Sequence, residues 1–165
     1  MHDPLAKYDP EFAALLVEES AHALVARAVG RAGPMLILPR MDDGGAGVVM
    51  PTEMLDGFPG LVILAAGEVA QEKYGRGGGG GHESDIEQGL AIASELAGPE
   101  ASQGEINHLM EQARLDACAI VGQHWVRLLS LAVLVGLASE LLPADLGAGE
   151  IEFHKTERGQ RCHAS

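Results

Sequence analysis

The stretch VEESAHALVARAVG, residues 17–30, reads as a helix that is apolar on nearly every side yet carries Glu18, Glu19 and His22 close together. Glu18 and His22 stand at i and i+4, so they share one helix face and can both point at one ion. Glu19 is turned aside by about 100°, where a zinc-protease helix places its general base. The full HExxH signature has His at the first position, and here the segment is EESAH, with Glu18 in that place. A carboxylate ligates zinc at a distance close to that of imidazole, so the replacement does not by itself abolish a site. The competing reading is a Glu18–His22 ion pair on a solvated face. Residues 12–29 leave little room for a broad polar surface, and burying two carboxylates without a cation is costly. Arg27 lies more than a turn from Glu19, so a divalent metal compensates the charge more fully.

Outward from this helix, Asp9-Pro10-Glu11 is a start signal: a capping side chain, proline in the first turn and an acid near the positive end of the dipole. The spacing predicts a helix from about Pro10 to Val29, stopped by Gly30. In GPMLILPRMDDGGAGVVMPTE, residues 33–53, the β-prone runs Met35–Leu38 and Gly47–Met50 flank the turn-rich DDGG, which reads as a hairpin or a pair of adjacent strands. From Phe58 the pattern returns to helix, over LVILAAGEVAQEKYG, residues 61–75, with Gly75 as its stop. The glycine run RGGGGG is a flexible connection. Ser84 or Asp85 then opens the helix DIEQGLAIASELAG, ended by Gly98 and Pro99. Residues 103–142 read as one long helix or two joined by a short break, and the tail, 154–165, lacks an apolar period and is expected to be loose. With no repeat and no linker, the chain reads as a single domain, 1–165.

At 165 residues the chain suffices for one sizeable core, and with 47% hydrophobic but only 4% aromatic residues that core must be aliphatic. Such a balance favours closely packed helices, so the fold class is mainly α with a small β element. A net charge of −13 and a pI near 4.8 argue against nucleic acid and anionic membrane surfaces as partners. Two well-separated cysteines, Cys118 and Cys162, suggest no disulfide framework. The N-terminus lacks a basic region followed by an apolar one, and the longest apolar stretch, LLSLAVLVGLA at 128–138, is short for a bilayer. A soluble, cytoplasmic protein without membrane insertion is therefore the expectation.

Further candidate ligands are His82, Glu83 and Asp85, in GGGGGHESDIEQ, where helix capping by Ser84 and Asp85 is the plain alternative. A phosphate loop in the glycine run is disfavoured, because no GK[ST] follows it and no lysine is near. His108, Cys118 and His124 are separated along the long helical segment and read as surface or core residues rather than ligands. Cys162 and His163, in the tail, read as incidental.

The ordered set of these blocks resembles the peptidase domain of the FtsH-type ATP-dependent zinc proteases. VEESAHALVA stands in place of the family's HEAGHALVA; LILPRMDDGGAGVVMP, residues 36–51, resembles its strand pair SIIPRG…GYTMQLP; and ILAAGEVAQEKYG, residues 63–75, resembles LLGGRAAEELVFG. HESDI, with Asp85, falls where the family has SNDL, and INHLMEQARLDACAIVGQHW with LPADLGAGEI resembles its C-terminal helices. The resemblance covers about residues 12–152. It implies a helical peptidase fold with a small β-hairpin or sheet beside the metal site. It also implies His22 and Asp85 as zinc ligands, Glu18 at the position of the first histidine ligand, and Glu19 as catalytic base.

A zinc metallopeptidase with one Zn2+ per chain is the functional expectation. Its substrate is an unfolded or extended peptide, paired to a strand edge near Gly47–Met50. The chain carries no Walker motif and no transmembrane anchor, so folded substrates would call for a separate unfoldase partner, and the family resemblance implies a homo-oligomer. Two anionic ligands lower the metal's net positive charge, so catalysis is expected to be slow or absent. The alternative function is a catalytically degenerate peptidase fold kept as a binding or scaffold module.

Overall fold

The computed structural model describes residues 3–31, 36–38, 47–49, 51–76 and 83–141. Among them it is mainly helical, with the helices α1 (Pro10–Ala28), α2 (Gly57–Tyr74), α3 (Glu83–Ala97) and α4 (Gln103–Leu141). The Asp9 carboxylate caps α1 by accepting from the Glu11 amide at 2.9 Å, with Pro10 in the first turn. Gly30, at φ 80°, follows its end. Gly75 closes α2 in the left-handed region, φ 69°, its amide donating to the Gln71 carbonyl at 3.0 Å. A reciprocal cap opens α4: the Ser102 amide donates to Glu105 Oε2 at 2.8 Å, and the Glu105 amide donates to Ser102 Oγ at 3.3 Å.

The boundaries lie close to the sequence expectation. α2 begins at Gly57, one residue before Phe58, and its first turn packs tightly, with Gly60 pressed against the backbone of Leu55 in a 3-10 turn over Thr52–Leu55. A Cβ at Gly60 would lie 1.7 Å from the Leu55 carbonyl oxygen, so only glycine permits this approach. α3 begins at Glu83, which puts Ser84 and Asp85 inside its first turn instead of at the cap. Of the two readings of residues 103–142, one long helix or two with a short break, the first holds: α4 runs unbroken for 39 residues and includes the apolar stretch 128–138.

Two short strands, β1 (Leu36–Leu38) and β2 (Gly47–Val49), pair antiparallel with Leu36 opposite Val49 and Leu38 opposite Gly47, and both lie against α1. The DDGG turn, Met35 and Met50 lie outside the described residues.

α1, α2 and α4 pack against one another, and α3 lies across α2 and α4. Fully buried alanines on all three partners, among them Ala13, Ala66 and Ala117, let the helices approach closely. Leu16, Ile63, Val121 and Leu128 fill the space between them. Because α1 and α2 are each enclosed on several sides, neither shows one narrow apolar stripe. The N-terminal segment is tied down as well: Leu5 is fully buried, Asp3 pairs with Arg76, and Lys7 meets Glu140 at 2.7 Å.

By length and composition α4 suffices to cross a membrane, and only 22% of its most apolar window is buried. Val126 and Leu134 are its most exposed large apolar side chains.

Candidate metal centre

Glu18 and His22 project from the middle of α1 toward α2, and both are buried, at 3% and 7% exposure. A solvated Glu18–His22 face is therefore not what the chain builds, and Arg27 lies in the exposed last turn of α1. The first turn of α3 brings Asp85 to the same point, half-buried, with Oδ2 3.2 Å from His22 Nε2. One ligand atom each from Glu18, His22 and Asp85 lies within 4.8 Å of the other two.

The imidazole is held by its other nitrogen. His22 Nδ1 lies 2.8 Å from the carbonyl oxygen of Ile63 in α2, an oxygen that can only accept, so Nδ1 carries the proton. In the neutral ring this fixes the lone pair on Nε2, the atom facing Asp85. Backbone control of the tautomer is the usual companion of a metal-ligating histidine. Glu18 is oriented similarly, since Gln71 Nε2 donates to its Oε2.

Gly67 makes the centre possible. A Cβ there would stand 2.5 Å from His22 Nε2, 2.8 Å from Cε1 and 2.9 Å from Glu18 Cγ. Any side chain on this turn of α2 would fill the space between the two donors.

With no cation bound, the carboxylates around His22 favour its protonated form, which offsets part of their charge. Burial alone would push the imidazole pKa down. The Asp85 hydrogen bond, the Glu19 and Asp85 charges and the Ile63 carbonyl outweigh it and raise the pKa to about 9. Glu19 is half-buried beside this group, close enough for its charge to act on His22. One imidazole with a fixed tautomer and two carboxylates, in a cradle a methyl group would fill, form a donor set that fits zinc.

The remaining sequence candidates lie elsewhere. Glu83 is exposed in the first turn of α3; His108 and Cys118 are exposed and His124 half-buried along α4. His82, Cys162 and His163 fall outside the described residues, as does the strand-end residue Met50. Sequence reasoning missed Ile63, Gly67 and Gln71. A signal existed for two of them: an internal glycine in a helix costs about 1 kcal/mol against alanine, so Gly67 implies a close approach, and Gln71 lies one turn further on the same face.

Beside Asp85 a cavity of about 340 Å³ opens between α2, α3 and α4. No family model matches this chain, and neither a curated protein nor a solved structure does.

Proposed function

We propose that this chain is a zinc metallopeptidase of the FtsH peptidase type, hydrolysing unfolded or extended peptides without a nucleotide requirement. The reading rests on one observation: the buried Glu18 and His22 of α1 and Asp85 of α3 converge within 4.8 Å, with the imidazole tautomer fixed for ligation through Nε2. Glu18, His22 Nε2 and Asp85 would hold the ion. When bound, zinc supplies Lewis acidity, polarising a peptide carbonyl and making water a stronger acid.

The chain's own residues do the rest. Glu19, next to Glu18 and half-buried, takes the proton from the attacking water and returns it to the leaving amine. Gln71 holds the Glu18 carboxylate in place, and the Ile63 carbonyl prevents the His22 ring from turning. Gly67 keeps the space between Glu18 and His22 open. Because Glu18 and Asp85 would both be anionic ligands, a bound metal would keep less net positive charge than with one carboxylate, and slow turnover is the expectation.

A second reading has its own support. The His22–Asp85 pair and the Gln71–Glu18 bond satisfy these groups among themselves, as a degenerate peptidase fold kept as a scaffold requires. Metal content and casein hydrolysis distinguish the two. The peptidase binds about one zinc per chain and cleaves casein without nucleotide, and Glu19→Gln abolishes cleavage while the metal stays. A protein that binds no metal, or a Glu19→Gln variant as active as the parent, refutes the peptidase.

A further inference from the structure

The cavity beside Asp85 combines an apolar floor with an acidic rim. Leu61 and Leu64 of α2 and Met110 of α4 line it, and Gly89 of α3 keeps it open toward Met110, whose terminal methyl lies 3.0 Å from a Cβ built there. Glu68 and Glu111 reach it from α2 and α4, and among the described residues neither carboxylate has a hydrogen-bond partner. Among the described lining residues Arg114 is the one cation; it is paired with Glu72 at 2.7 Å and lies close enough to Glu68 for the two charges to act on each other, so three carboxylates, Glu68, Glu72 and Glu111, surround a single guanidinium. Asp85 forms the shared wall with the metal centre and its charge is taken up there.

We infer that this cavity is a substrate side-chain subsite selective for a long basic residue, lysine or arginine, next to the bond that is cut. The inference rests on the peptidase reading and names its substrate class. A volume of about 340 Å³ lies at the lower end of small-ligand sites, roughly 300–1,000 Å³, and accommodates a side chain rather than a larger group. Lysine and arginine carry an aliphatic stem that covers apolar surface while the charged head stays at the polar edge. Here the stem lies on Leu61, Leu64 and Met110, and the head reaches Glu68 and Glu111. Leucine matches the floor and brings no positive charge to the acidic rim. A glutamate adds a third negative charge to that rim. The net charge of −13 on the whole chain draws basic segments toward the molecule but does not choose a position within them.

The test uses the full chain with zinc and short fluorescent Gly/Ser peptides bearing one central Lys, Arg, Leu or Glu, with binding read by anisotropy. Lys and Arg peptides should bind about tenfold more tightly than Leu or Glu peptides, from partly screened charge contacts at the acidic rim. In the double variant Glu68→Gln, Glu111→Gln that preference should fall to within about twofold, while Glu95→Gln, an exposed acid of α3 outside the lining, keeps it. Equal or tighter binding of the Leu peptide overturns the inference. So does a basic preference that survives the double variant, which would mark a general response to net charge, and so does failure of every peptide to bind. Casein cleavage and metal content report separately on the peptidase: cleavage without a basic preference removes this subsite and leaves the enzyme standing.

Discussion

Gly67 of α2 lies so close to His22 of α1 that a single added methyl would sit 2.5 Å from Nε2, the atom that faces Asp85. The helix pays for glycine at an interior position with lost propensity, and what it gains is space between Glu18 and His22. Gly67→Ala should therefore displace both donors. Overpacking of this kind costs about 1–3 kcal/mol. Thermal melting should register that loss, and metal content should drop well below that of the parent. A variant with unchanged metal content would show that the space at Gly67 serves packing alone.

His22 and Asp85 bring different kinds of donor atom to the same point, one from each of two helices. His22→Ala removes the imidazole between Ile63 and Asp85, and Asp85→Ala removes the carboxylate that α3 brings in. Each should lower bound zinc to a small fraction of one per chain. Elemental analysis of the purified variants decides it. If neither change reduces zinc, the ion is held elsewhere.

The raised pKa of His22 gives a signed pH dependence. Its folded value of about 9 lies above the ordinary 6.5, so the protonated pair stabilises the metal-free fold fully below pH 6.5. That contribution, on the order of a few kcal/mol for a buried pair, declines as pH rises from 6.5 through 9. Melting temperatures of chelator-treated protein should fall across this window, and Asp85→Asn should flatten the trend. Zinc must displace the same proton, so its affinity should climb with pH over this range and level off above about 9. An affinity independent of pH between 6.5 and 9 contradicts ligation by His22.

Glu18→His replaces an anionic donor with a neutral one at a position already aimed at the centre. Gln71 can keep its contact, since its amide can turn to present oxygen to an imidazole N–H. The metal's effective charge rises, and peptide hydrolysis near neutral pH should increase, or appear where the parent shows none. Stability should change by less than about 1 kcal/mol, because the side chains are of similar size. The comparison is casein cleavage and zinc content of parent and variant. A variant that keeps zinc and gains no activity favours the scaffold reading; one that loses zinc shows that position 18 does not touch the metal.

Local physics made much of the helical framework legible. Asp9 and Pro10 at the head of α1, and the glycines following α1, α2 and α3, act through a few neighbouring residues, which is why those boundaries read within one or two positions. The start of α2 read to within one residue, at Phe58. The contact of Gly60 with Leu55 that packs this first turn becomes visible only when the turn before the helix is folded. The extent of α4 read to within one residue, with one long helix or two joined by a short break left open; packing of Gly136 against Tyr8, a partner from the other end of the chain, belongs to the folded molecule alone.

At the centre itself, the sequence determined that Glu18 and His22 share a helix face, that Glu19 is turned aside from them, and that the helix around them is too apolar to leave them on a broad wet surface. Those are consequences of helical periodicity and composition, which act within a segment. The tertiary structure decided that α3 delivers Asp85 to 3.2 Å from His22, that the Ile63 carbonyl fixes the ring, and that Gly67 and Gln71 shape and orient the pair. It also decided that Glu68 and Glu111, from different helices, edge one cavity beside Asp85. Such convergence is set by how closely alanine- and glycine-rich helices pack, a property of the whole core that no single stretch of sequence contains.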